Sequence, residues 1–280
     1  MATLMLCGCA SSPPAPTRDA RMFVDGVEGR LRVSDGGSGG LPVVFHHGLG
    51  SDWTCWQAQL DHLRATRRAV AFDARGHGES DRARVYSIDG LADDLDRVVT
   101  QLRISRFVLV GHSFAGTVLS DYAGKHPGKL AALVYADAVG DASRTAAEIK
   151  EYFRKQDAGV TPERLQEMYG AMLGPKAKPD TRRRILDSAA RMDLPAFGML
   201  RGQMGDFRAT DALRPFDGPK FAIDAEGNDN PILAAHLPGV QRRTIGGVSH
   251  WLMLDDPDAF NAALDEVLAR VVERWEKTTR

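Results

Sequence analysis

From residue 21 onward, the apolar positions of this chain alternate between two patterns. Short unbroken apolar runs recur in "LPVVFHHG", "RRAVAFDARG", "RFVLVG" and "LAALVYADAVG". A run without alternation fits a strand covered on both faces, as in a parallel sheet. Between the runs, "WQAQLDHLRA", "IDGLADDLDRVVTQLRI" and "FAGTVLSDYAGKHP" carry helical periodicity. Alternating strand and helix at this spacing predicts an α/β fold with a doubly wound, mostly parallel sheet. Ahead of the first buried run, "RMFVDG" and "EGRLRVSDGG" read as a short hairpin, closed by a Gly/Ser-rich break at 36–40.

From about 141 to 214 the rhythm changes. "TAAEIKEYFRKQ", "TPERLQEMYGAML", "PDTRRRILDSAARM" and "DLPAFGMLRGQM" are all helical, with start signals at Thr161-Pro162-Glu163 and Pro179-Asp180-Thr181. Strand rhythm returns at "PKFAIDAEG" and "VQRRTIGG". A last helix follows, with Asp256 as N-cap before Pro257 and a stripe of Phe260, Leu264, Val267, Leu268, Val271 and Trp275. The organisation expected is therefore a leader and linker at 1–20, a core at 21–140 and 215–280, and a helical cap at 141–214, inserted after the sixth strand.

Composition narrows the function classes. Of 280 residues, 43% are hydrophobic and 26% charged, as in ordinary globular domains. Lys plus Arg number 36 and Asp plus Glu 37, for a net charge of −1, so no basic excess invites nucleic acid. The one dense basic run, Arg182-Arg183-Arg184, falls in a helical pattern and reads as a solvated face. The first sixteen residues, "MATLMLCGCASSPPAP", resemble the end of a bacterial lipoprotein signal peptide with Cys9 as the lipidated residue. They depart from that pattern in lacking Lys or Arg before a rather short apolar run. Lipidation would anchor the chain at the periplasmic face or outer membrane, each buried methylene contributing about 0.8 kcal/mol. Without it the expected location is cytoplasmic. After Cys9 only Cys55 remains, so no internal disulfide framework is available.

The chemistry centres on "RFVLVGHSFAGTVL", residues 106–119. Ser113 lies on a tight turn between a buried strand and the next helix, with small residues at Gly111, Ala115 and Gly116. Such an elbow lifts the hydroxyl clear of the sheet and sets it over a helix N-terminus, where free N–H groups favour negative charge. The competing reading of Ser113 is a plain helix N-cap. No His/Cys/Asp spacing suggests a metal site, and no cofactor is expected.

On these residues the chain resembles the α/β-hydrolase superfamily from 21 to 275, in the family's order. The resemblance implies several roles. His47-Gly48 matches the oxyanion segment, which makes the N–H of Leu49 one donor and that of Phe114 the other. "DARGHGESD", residues 73–81, matches a mainly structural turn. His250, in "GGVSHWLMLDDP", stands where the family places its general base. For the acid, most of the family uses the loop after "PKFAIDAEGNDN", where Asp224, Glu226 and Asp229 compete and Asn228 holds the most regular position. A minority uses the preceding strand end, which offers Asp137. Asp137 is favoured narrowly, with Asp229 as the alternative.

The expected activity is a serine hydrolase working by acyl transfer on a small-molecule hydrophobic ester or lactone. A serine at 113 argues against the branches that use an Asp nucleophile. A cofactor-free haloperoxidase or perhydrolase, a C–C bond hydrolase, and a non-catalytic binder on the same fold stay open. Trp53 and Trp251 are candidate pocket walls. Met192, Phe197, Met199, Leu200, Met204 and Phe207 either touch substrate from the cap or only pack the cap helices together.

Overall fold

Eight strands form one sheet in the order β1-β2-β4-β3-β5-β6-β7-β8. They are β1 (Met22–Asp25), β2 (Arg30–Gly36), β3 (Val43–His46), β4 (Ala69–Phe72), β5 (Phe107–His112), β6 (Leu130–Ala136), β7 (Lys220–Ala225) and β8 (Val240–Ile245). The computed structural model describes residues 21–157 and 159–278, so the leader-like segment with Cys9 lies outside the described residues. Strand β2 pairs antiparallel with both β1 and β4, and every other pairing is parallel. All residues of β3, β4, β5 and β6 are buried, which is why these strands read as unbroken apolar runs. The edge strand β8 exposes Gln241, Arg243 and Thr244, and charged edges discourage pairing with another chain.

The core helices are α1 (Gln57–Leu63), α2 (Ile88–Gln101), α3 (Ala115–Lys125) and, after the short α9 (Leu252–Asp255), α10 (Pro257–Thr278). In α2 the residues Ile88, Leu91, Ala92, Leu95, Val98 and Val99 bury one face, and Ser87 caps the helix by accepting from Gly90 N–H. Burying one such aliphatic side chain contributes roughly 1.5–3 kcal/mol. In α10 the stripe from Phe260 to Val271 is buried, and the Asp256 carboxylate accepts from Ala259 N–H at 3.0 Å. The side chain of Trp275, assigned to the same stripe, lies outside the described residues. Among the described residues no helix is long and apolar enough to cross a membrane.

Between β6 and β7 the chain forms α4 (Ala147–Asp157), α5 (Pro162–Leu173), α6 (Pro179–Arg191), α7 (Leu194–Met204) and α8 (Ala209–Ala212). Thr161 caps α5 through a bond from Arg164 N–H. The chain runs from β3 outward to β4, then returns to the other side of β3 as β5. In open α/β sheets the crevice beyond the carboxyl ends of the strands, at such a reversal, is where ligands bind. His46, Gly111, Tyr135 and Ala222 stand in register across β3, β5, β6 and β7, so the loops leaving these strands emerge close to one another.

At that end helix α3 meets the turn after β6 without room for a side chain. A Cβ on Gly116 would lie 2.0 Å from the carbonyl oxygen of Val139. Gly116→Ala is therefore expected to lower folding stability by about 2 kcal/mol, as overpacking does. Urea denaturation of the variant beside the parent chain measures it, and equal midpoints would contradict the close approach.

Candidate active site

Ser113 joins β5 to α3 with φ +57°, a left-handed conformation that costs a non-glycine residue about 1–3 kcal/mol. Its backbone is held from the neighbouring strand end: its N–H donates to Ala136 O at 3.2 Å, and its carbonyl accepts from Val139 N–H at 2.9 Å. Asp137 lies between those two partners and is itself left-handed, at φ +43°. Its N–H donates to Ile223 O at 2.9 Å. Ser113 and Asp137 thus leave adjacent strands through one shared hydrogen-bonded turn.

His250 bridges them. Its Nε2 lies 2.8 Å from Ser113 Oγ, and its Nδ1 lies 2.7 Å from Asp137 Oδ2. A carboxylate can only accept here, so Nδ1 carries the proton and Nε2 is free to accept from the serine hydroxyl. Asp137 is buried at 1% exposure. Burial alone would raise its pKa, but the bond and charge of His250, with help from His112 and Asn228, hold it below the usual carboxylate range. The Asn228 amide donates to both its oxygens, at 3.0 and 3.1 Å. The His250 loop is set by Asp255, which accepts from both the N–H and the hydroxyl of Ser249, while that hydroxyl's oxygen accepts from Trp251 N–H. His112 Nε2 donates to the His250 carbonyl at 2.8 Å.

Opposite the serine, the loop after β3 passes close enough that a Cβ on Gly48 would lie 3.0 Å from Ser113 Cβ. The Gly48 carbonyl is held by His47 Nδ1 at 2.8 Å and Ser51 N–H at 3.1 Å. In a trans peptide the next N–H points the other way, so the Leu49 N–H faces away from these partners. Ala74 N–H donates to His47 Nε2 at 2.9 Å, which fixes the tautomer, and Asp73 accepts from Trp53 N–H at 2.7 Å. Residues 73–81 thereby brace both ends of the loop. Phe114 is the N-cap residue of α3, where backbone N–H groups lack helical partners and favour negative charge. Among the described residues, no group of three or more His, Cys, Asp or Glu is arranged to hold a metal ion.

The sequence model of the Alpha/beta hydrolase family matches residues 43–263. The chain belongs to this family. The non-heme chloroperoxidase of Streptomyces lividans is 30% identical over 207 residues, covering 70% of this chain and 73% of that protein. Non-heme chloroperoxidase CPO-A1 of Kitasatospora aureofaciens is 40% identical over 118 residues, 41% of this chain and 42% of that protein. The chain spans between about a quarter and two fifths of the length of the first curated relatives it matches. A thermophilic esterase from Thermogutta terrifontis shares the fold at a TM-score of 0.78 and 24% identity, covering 90% of this chain and 99% of that one.

Within this alpha/beta hydrolase, the structure brings Ser113, His250 and Asp137 together and leaves the alternative acid apart. Asp229 is 81% exposed in its side chain and pairs with Arg242 at 3.3 Å. Trp251 is buried edge-on to His250, ring centroids 5.0 Å apart. Trp53 instead packs with the Arg32 guanidinium of β2, 5.2 Å from its ring centre. Of the insertion's candidate substrate contacts, Met192, Phe197 and Leu200 are buried in the core cluster, and Met199 turns to solvent. Sequence reasoning saw Asn228 only as the wrong residue at an acid position. Its role as the donor to Asp137 depends on a partner 91 residues away.

The histidines around the site are kept neutral. Burial holds His46 and His77 down to about 4 and His112 to about 3, and drives His47 well below its ordinary value. Each contributes stability that is present above about pH 6.5 and lost as pH falls toward 4, because the unfolded chain then binds the proton first. Asp73 and Asp224, pushed up by burial to about 7 and about 6, act in the opposite sense. Four histidines against two carboxylates leave a net loss of stability between about pH 7 and about pH 5. Urea midpoints at the two pH values test this, and equal stability would contradict it.

Proposed function

We propose that this protein is a serine hydrolase acting by acyl transfer on a small to medium hydrophobic ester or lactone. The observation that carries the reading is the unbroken hydrogen-bonded line from Ser113 Oγ through His250 to Asp137. In the proposed reaction Ser113 Oγ attacks the substrate carbonyl as His250 Nε2 takes its proton, and Asp137 stabilises the imidazolium. The tetrahedral oxyanion accepts from the N–H groups of Leu49 and Phe114. Collapse expels the alcohol, protonated by His250. Water, deprotonated by the same imidazole, then attacks the acyl-enzyme and releases the acid. Each oxyanion donor in such a site is worth on the order of 3 kcal/mol. The helices between β6 and β7 serve in this reading as the cap over the serine.

The similarity to non-heme chloroperoxidases favours one second reading on the same residues. Hydrogen peroxide in place of water would intercept the acyl-enzyme, giving a peracid and free Ser113. Peracid formation from acetate and peroxide, lost with Ser113→Ala, distinguishes it from plain hydrolysis.

Fluorophosphonate is expected to label Ser113 stoichiometrically. Asp137→Asn should lower kcat by about 10⁴-fold, the cost of misorienting the imidazole in such triads. Asp229→Asn should leave turnover unchanged. Asn228→Ala should lower kcat by roughly tenfold, since a bond to a charged group contributes about 1.5–3 kcal/mol. Ester turnover that survives Ser113→Ala would sink the reading. Anchoring through Cys9 is a separate part of the proposal: Cys9→Ser should move the protein from the membrane fraction to the soluble one.

A further inference from the structure

Four side chains of α5 and α6 converge on one loop of the core, residues 49–54. Tyr169 Oη donates to the Leu49 carbonyl at 2.5 Å, and Ser188 Oγ donates to the Gly50 carbonyl at 2.8 Å. Arg191 reaches Asp52 Oδ2 at 2.8 Å, and Arg184 donates to the Thr54 carbonyl at 2.8 Å. Tyr169 and Ser188 are both buried. The fit is close: a Cβ on Gly50 would lie 2.2 Å from Tyr169 Oη.

These contacts bear on the Leu49 N–H. That group belongs to the peptide whose carbonyl, on Gly48, is held from the core by His47 and Ser51. The next peptide along presents the Leu49 carbonyl, and it is held from the insertion by Tyr169. The N–H lies in the plane of the first peptide, and holding the second stops rotation about the Leu49 α-carbon that would let the first tilt. Donors stabilise an oxyanion most when their direction is set before charge develops.

We infer that Tyr169 is a positioning residue for the Leu49 oxyanion donor, supported by Ser188, so that the site is complete only when the helical insertion is seated on the core. The inference rests on the hydrolase reading. Substrate that enters by displacing α5 and α6 loosens the oxyanion segment, and reseating restores it, which couples closure to catalysis.

Tyr169→Phe removes the hydroxyl and keeps the ring that packs 6.1 Å from Trp251. The expected result is a fall in kcat of about tenfold with KM nearly unchanged, a fraction of the cost of deleting a donor outright. Affinity for a trifluoromethyl ketone, whose adduct with Ser113 carries the oxyanion, should weaken by the same factor. Amide hydrogen exchange in the peptide spanning 47–54 should accelerate. Ser188→Ala should shift all three readings the same way by less. Unchanged exchange in Tyr169→Phe, or an activity loss confined to KM, overturns the inference. A wild type that neither labels at Ser113 nor turns over esters defeats the hydrolase reading instead, and the exchange measurement still decides whether Tyr169 holds the loop.

Discussion

Two hydrogen bonds between the backbone of Ser113 and the turn after β6 set the geometry on which the site depends. Because Ala136 accepts from the serine N–H and Val139 donates to its carbonyl, Ser113 and Asp137 are parts of one backbone unit. Both residues are left-handed, so the sheet holds two strained positions side by side. That strain persists because the surroundings over-determine it. Gly116 lets α3 press onto Val139, and the parallel register levels the ends of β5, β6 and β7. A single imidazole then spans the gap. An acid on the loop after β7 would have needed that longer loop to be fixed independently. Here that loop contributes Asn228, which steadies the acid from outside.

The electrostatics follow from keeping most nearby titratable groups uncharged. His112 stands 4.6 Å from His250, ring centre to ring centre. Were it charged, it would disfavour an imidazolium at His250 and compete for the charge of Asp137. Burial prevents this, so His112 works as a neutral donor to the His250 carbonyl. His47 is likewise a neutral strut, donating to Gly48 and accepting from Ala74. These groups supply direction rather than charge.

Much of this was legible in the sequence, for reasons that can be named. Strands β3 to β6 announced themselves because burial on both faces removes alternation, and α2 and α10 because one apolar stripe faces the sheet. The elbow was legible because a turn that tight admits few residue types. The choice between Asp137 and Asp229 was not, since it depends on which strand end lies beside Ser113, a tertiary fact. The partners of Leu49 and Gly50 were invisible for the same reason: Tyr169 and Ser188 lie 120 and 138 residues away. Periodicity gave the burial of Phe197 and Leu200 in α7 and could not tell inward packing from contact with a ligand.

Residues 47–54 are held jointly by the core and the insertion. From below, His47 and Asp73, each one residue past the end of β3 or β4, fix the two ends. From above, the α5–α6 pair grips the carbonyls between them. Ser113 and Asp137 are framed by strand ends, but the His250 loop is tied to the insertion as well: Lys178 N–H donates to Asp255 at 2.9 Å, and the Tyr169 ring packs 6.1 Å from Trp251. In the proposed reaction, a change in the insertion would therefore reach the Leu49 N–H and the His250 loop before it reached the strand-end frame of Ser113 and Asp137.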